Sequence, residues 1–387
     1  MSDLEKLFLV IAAIYLAECL VWVRRASVVF VSLMGHRCRL VHATTLPGND
    51  NGGLLPGNPL PPLGTIYVCQ PWPISISPEG IYSYTSQTVN PAKRPVQPTR
   101  FVRFEEIRSI AASSKELFVN GDTFVKVGST HFARYLADLL RQLSALSTDQ
   151  RGKAIEAALN ESVDIDRIAE RIDTHRCQVA TLRISCNALF LYVVFASLLL
   201  WIRGPAYWLP LLLGMLVGLI VIAVEYFLAH RVLYPRASRE RLSHLAAMLL
   251  APPVAIRSGD SLSRDLLIGF HPLAVAHLVC PPQKFLEFAQ YILRDASCPM
   301  LPVCPAKDRD PRETERWFRS RLHGVLNDLV RRVGTNPEEL TAPPRPTGSH
   351  CRSYCPRCEI QYVIPQGECH ACGGVPLQEF EQDDVAV

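Results

Sequence analysis

The residues best equipped for chemistry lie near the end of the chain. Cys355-Pro356-Arg357-Cys358 and Cys369-His370-Ala371-Cys372-Gly373-Gly374 are two C-x-x-C pairs separated by ten residues. Each pair suits a tight turn that aims two thiolates at one point, and a hairpin between the pairs would close a tetrahedral sulfur cage around Zn²⁺. Four protein ligands leave no open coordination position, so Cys355, Cys358, Cys369 and Cys372 point to a structural metal and not to a hydrolytic one. Cys351 and His370 are spare donors that could replace one of the four. A redox role would need a low-pKa thiol at a helix start within a βαβ pattern, which the sequence lacks.

The flanking elements must position these pairs. Residues 343–350, Pro343-Pro344-Arg345-Pro346-Thr347-Gly348 at their core, form a linker, and residues 351–387 hold the cysteines and an acidic tail. Glu359–Ile364 supplies a strand and Pro365-Gln366-Gly367 a turn. On these pairs and this turn the segment resembles the zinc ribbon family, although Glu359 stands where many ribbons have Gly. Ribbons of that kind also bind nucleic acid. Here Glu379, Glu381, Asp383 and Asp384 follow the last pair, which disfavours phosphate contact and favours a protein partner.

The rest of the 387-residue chain is 49% hydrophobic, above the soluble average, and its formal charge of +4 is small. Leu7–Val23 is a run of 17 residues, nearly all apolar, followed at once by Arg24 and Arg25, so residues 1–25 read as an anchor and not a removable leader. Residues 188–228 hold two further apolar runs, Ala188 to Ile202 and Tyr207 to Leu228, joined by Arg203-Gly204-Pro205-Ala206: a transmembrane hairpin. Arginines crowd the outer ends of the spans: Arg24, Arg25, Arg37 and Arg39; Arg176 and Arg183; Arg231, Arg236, Arg239 and Arg241. The expected topology is a multi-pass protein of the cell's inner membrane with its N-terminus outside and its C-terminus cytoplasmic. Thirteen Cys are then expected in a reduced compartment. Glu18 and Glu225 are the acids within or beside the spans. They mark either an ion path or residues paired with basic neighbours near the cytoplasmic ends.

Residues 26–64 are a juxtamembrane segment and Pro/Gly-rich linker. Residues 65–146 alternate short β-type runs with turn signals, among them Asn120-Gly121-Asp122, and end in an amphipathic helix from Ser129 to Leu146. The stretches Ile74–Tyr84 and Phe101-Val102-Arg103-Phe104-Glu105-Glu106-Ile107-Arg108-Ser109-Ile110, with that helix, resemble a bacterial PH-like domain. The resemblance implies a β-barrel beside the membrane that binds proteins or anionic lipid headgroups. Residues 147–187 read as a solvated helical connector. Residues 229–342 form a mostly helical cytoplasmic region whose Thr314–Val333 helix has an apolar stripe suited to a core and a basic content suited to a membrane face. His271, His277, Cys280, Cys298 and Cys304 match no ligand spacing.

The expected fold class is therefore an α+β multi-domain integral membrane protein with three transmembrane helices, a PH-like barrel and a zinc ribbon. No catalytic motif of a familiar kind is present. Three functions fit: a membrane-anchored scaffold or adaptor, a subunit of a transport or channel complex using Glu18 and Glu225, and an unrecognised membrane-embedded enzyme.

Overall fold

A computed structural model describes residues 28–31, 66–69, 71–83, 100–235, 237–250, 252–280, 282–297, 309–372 and 375–380. The first expected span, with Glu18, lies outside these residues. The chain divides into two units, one containing Asp166–Leu267 and the other containing Cys69–Ile165 and Ile268–Val387. Strands β1 (Val28–Val31) and β2 (Ile66–Cys69) pair with each other.

In the second unit, β3 (Ile74–Ile76), β4 (Gly80–Ser83) and β5 (Arg100–Arg103) make one antiparallel sheet, and β6 (Ile110–Ser113), β7 (Glu116–Val119) and β8 (Asp122–Lys126) make another. Asn120 and Gly121 turn between β7 and β8 at φ 55° and 86°, the left-handed pair that a two-residue hairpin loop requires. The Asn120 side chain also ties down the preceding loop, accepting from the Arg108 and Ser109 backbone N–H groups at 2.7 and 3.2 Å. Helix α1 (Thr130–Ser144) is capped by the Ser129 hydroxyl, which accepts from Phe132 N–H at 3.1 Å. Its Phe132, Leu136, Leu140 and Leu143 are buried. Short strands followed by a helix are present, but the strands fall into separate small sheets and the described residues form no closed barrel, so the PH-like expectation finds no support here. The first strand of that stretch, Ile66–Cys69, pairs as β2 with β1 and joins neither three-stranded sheet.

Helix α2 (Thr148–Ser162) opens the stretch expected to be a solvated connector. Ile155, Leu159 and Val163, which recur every four residues, are at most 1% exposed, so one side of this helix is core and not solvated. Arg151 carries much of this packing. Its guanidinium lies over the Phe104 ring at 4.3 Å and donates to the carbonyls of Leu143, Leu146 and Pro78, which closes the C-terminal end of α1.

The other unit begins along α3 (Ile165–Arg203) and continues through α4 (Trp208–Leu233), α5 (Ser238–Leu250), α6 (Pro252–Ile256) and α7 (Ser258–Ser263). Both α3 and α4 are long and apolar enough to cross a membrane. Gly204, at φ 75°, ends α3 in the left-handed conformation typical of a helix C-terminus. Facing sides of the pair are closely packed. The Tyr192 hydroxyl donates to Leu211 C=O at 2.8 Å beside Gly214, and a Cβ at Gly218 would sit 3.0 Å from Leu189 Cδ1. The outer sides are apolar and uncovered, with Phe195, Trp201, Val217 and Ile220 each more than half exposed. Below the apolar stretch, Arg171 donates to the carbonyls of Leu233 and Leu266, and Tyr234 donates to Leu262 C=O at 2.7 Å. Carbonyls left open at the helix end thereby find donors.

Within the second unit, α8 (Pro272–Val279), α9 (Pro282–Ser297), α10 (Arg309–Arg332) and α11 (Pro337–Thr341) follow. The apolar stripe of α10, Phe318, Leu322, Leu326 and Leu329, is buried against β3, β4, α2 and α9, and Phe318 meets Trp72 edge-on at 5.7 Å. Its arginines occupy the remaining face, so this helix is a core element.

Candidate metal centre

The C-terminal module begins on the linker. Gln361 binds it in two directions, accepting from Thr347 N–H at 2.8 Å and donating to Arg345 C=O at 2.7 Å. Strand β9 (Ser353–Tyr354) runs into Cys355, and β10 (Gln361–Tyr362) returns beside it in the register Gln361↔Tyr354 and Tyr362↔Ser353. The first C-x-x-C is therefore the loop of a hairpin. Glu359 N–H donates to Cys355 C=O and Cys355 N–H to Ile360 C=O, both at 2.9 Å, and Glu359 takes φ 61° to complete the turn.

The second pair repeats the device. Strand β11 (Glu368–Cys369) pairs with β12 (Val375–Pro376), Cys369 opposite Val375, around the turn His370–Cys372. Strand β13 (Gln378–Glu379) then pairs with the free side of β9. Sequence reading expected one hairpin between the two pairs, turning at Pro365-Gln366-Gly367. The strands instead pair across each C-x-x-C, and residues 363–367 form the bridge between the two hairpins. The physical reason is the knuckle itself: its tight turn already reverses the chain, so the nearest partner for each strand is the one on the knuckle's other side.

The two loops bring Cys355, Cys358, Cys369 and Cys372 together with all four Sγ atoms within 4.8 Å of one another. All four are free cysteines, and the Cys358 and Cys369 sulfurs are 3.6 Å apart, far beyond the roughly 2.05 Å of a disulfide. Ligands about 2.3 Å from a tetrahedral Zn²⁺ would stand about 3.8 Å from each other, so the group needs only a small contraction to hold such an ion. Cys355 and Cys369 are fully buried and pack with Val375, Tyr362 and Leu377.

Electrostatics favour a cation here. Burial pushes the Cys358 thiol up to about 11 and also raises Cys372, where the neighbouring Cys358 thiol adds to the effect. Burial acts upward on Cys369 as well, but hydrogen bonds from the Tyr362 hydroxyl (3.1 Å), the Cys372 backbone and the adjacent thiols outweigh it and hold that thiol down to about 7. A sulfur cluster with thiols raised in this way does not ionise fully by itself, and a divalent cation held by the four sulfurs would supply the missing positive charge. Tyr362 is a contact of the thiol cluster that the cysteine spacing does not reveal. Its only sequence signal is an aromatic in the strand leaving the first pair.

The spare donors do not join the group. Cys351 is buried in a separate cluster with Tyr354 and Phe380, its sulfur 3.4 Å from the Thr347 hydroxyl, and His370 is exposed. Elsewhere, His271 is wholly buried and its Nδ1 accepts from Leu273 N–H at 3.2 Å, which makes it the N-cap of α8. Cys298 and Cys304 lie outside the described residues. Glu225 sits on α4 with its Oε2 buried and without a hydrogen-bond partner among the described residues.

No protein-family model, no curated protein and no solved structure matches this chain.

Proposed function

We propose that the protein is a membrane-anchored scaffold or adaptor, that its four-thiol centre carries a structural Zn²⁺, and that the module so stabilised docks a protein partner. The membrane reading is supported by α3 and α4, whose outward faces are apolar and uncovered. The basic residues around 171–183 and 230–241 agree with those ends lying in the cytoplasm, N-terminus outside, as a multi-pass protein of the inner membrane. The PH-like region, residues 65–146, would add a second contact surface for proteins or anionic headgroups.

One observation carries the docking role. On the four-cysteine module Ile360, Val363 and Ile364 are 40, 63 and 48% exposed, so three large aliphatic side chains within five residues face outward from a small fold. A structural metal fixes the backbone beneath such a patch without taking part in chemistry, which is the arrangement a docking module needs. The test is a photo-crosslinking residue placed at position 363 of the full-length protein in its native membrane, with the same residue at exposed Glu368 as the comparison. A discrete adduct formed from position 363 and absent from position 368 is expected. Equal, diffuse labelling from both positions would contradict docking by this patch.

A further inference from the structure

The first knuckle does more than present two thiols. Arg357 lies between Cys355 and Cys358, and Glu359 follows Cys358 directly. Both reach the C-terminal end of α9. Glu359 forms an ion pair with Arg294, whose side chain is 7% exposed, and also accepts from Gln290 Nε2 at 3.5 Å. Arg357 Nε stands 3.0 Å from Asp295 Oδ1, an ion pair by distance and not by hydrogen-bond alignment. Arg294 in turn donates to Ala342 C=O at 2.9 Å, just past α11, and Arg319 of α10 donates to Asp295 C=O at 3.2 Å. Two residues of the metal loop, Arg357 and Glu359, thus meet a node where α9, α10 and the end of α11 converge.

Glu359 is the informative residue. At φ 61° a side chain is disfavoured and Gly would sit without strain. The Glu359 carboxylate at that point compensates the buried Arg294 charge, and a buried guanidinium left without its partner is strongly unfavourable. The same turn conformation that aims Cys355 and Cys358 at a common point also aims Arg357 and Glu359 at α9.

We infer that the first knuckle is a two-sided clamp, its thiols gripping the metal and its Arg357 and Glu359 gripping helix α9, so that metal loading and the packing of α9 form one linked equilibrium. The inference rests on the reading of the four-thiol centre as a metal site. Coupling of this type is reciprocal: metal tightens α9, and an intact α9 face tightens the metal.

Two measurements on the full-length chain in detergent micelles test it, with Zn²⁺ as the probe. In hydrogen exchange, chelation is expected to speed exchange of residues 290–297 at least about tenfold, together with residues 353–372. In the reverse direction, Asp295→Asn, which touches no thiol, is expected to speed extraction of Zn²⁺ by a chelator at least about fivefold. Unchanged exchange in 290–297 after the metal has left, or an unchanged extraction rate in Asp295→Asn, would overturn the clamp while leaving the metal site standing. A wild-type chain that binds no Zn²⁺ would overturn both. Arg357→Gln with Glu359→Gly adds a check within the loop: one metal retained with fast exchange in 290–297 supports the clamp, and one metal retained with slow exchange refutes it.

Discussion

At the scale of single residues, the chain places its most consequential side chains where a neutral or shared proton matters. His271 is wholly buried, and burial pushes its imidazole down to about 3 from an ordinary value near 6.5. Its Nδ1 can accept from Leu273 N–H only while unprotonated. The folded pKa is therefore depressed: below pH 6.5 the unfolded chain takes up a proton that the folded chain refuses, and stability falls as pH drops toward 3. At pH 5 the loss from this one residue is about 2 kcal/mol. Thermal unfolding of the full-length protein in detergent should show that loss between pH 7 and pH 5, and His271→Asn, which keeps a capping oxygen, should remove it. An identical pH slope in the variant would mean His271 does not carry the effect. Sequence alone made the four cysteines legible, because C-x-x-C spacing is set by the knuckle's own geometry. It could not separate them from Cys351 and His370, since that choice depends on which turn each donor joins. Arg151 and Tyr362 left no periodic signal because each acts through one long-range contact.

At the scale of elements, local pattern served where one element buries one stripe. The α1 and α10 helices, the Asn120-Gly121 turn and the apolar runs inside α3 and α4 all follow from spacing and residue type. It served less well where a partner had to be chosen. The strand at residues 66–69 pairs with Val28–Val31 and not with its sequence neighbours, and the strands of the metal module pair across their knuckles. Residues 147–187 read as a solvated connector because balanced charge hides a narrow stripe, yet that stripe is core. The α3–α4 pair shows how small residues set an interface. Gly218 faces Leu189, and Gly214 faces the Tyr192 ring that reaches Leu211 C=O. Gly218→Leu must push Leu189 aside, and a destabilisation of about 1–3 kcal/mol is expected. The melting temperature in detergent should fall accordingly, whereas Val217→Leu on the uncovered side should leave it unchanged. Equal effects would mean that Gly218 does not face α3.

At the scale of the whole molecule, the two units carry different physical tasks. One presents long apolar helices with uncovered outer faces; the other holds small sheets, a helical core and the metal module. The fold class expected from sequence is visible in part as mixed helix and sheet with two candidate spanning helices and a cysteine cluster, and without a closed barrel among the described residues. The barrel near 65–146 is implied by the PH-like resemblance alone, since short alternating runs specify strands but not closure, which depends on long-range pairing. The central claim is that Cys355, Cys358, Cys369 and Cys372 hold a structural Zn²⁺ in a membrane protein. X-ray absorption on the full-length protein purified from membranes in detergent tests it directly. The expected result is one zinc per chain with four sulfur neighbours at about 2.3 Å, lost in Cys355→Ser/Cys369→Ser. A chain without metal, or a zinc surrounded by nitrogen and oxygen, would contradict it.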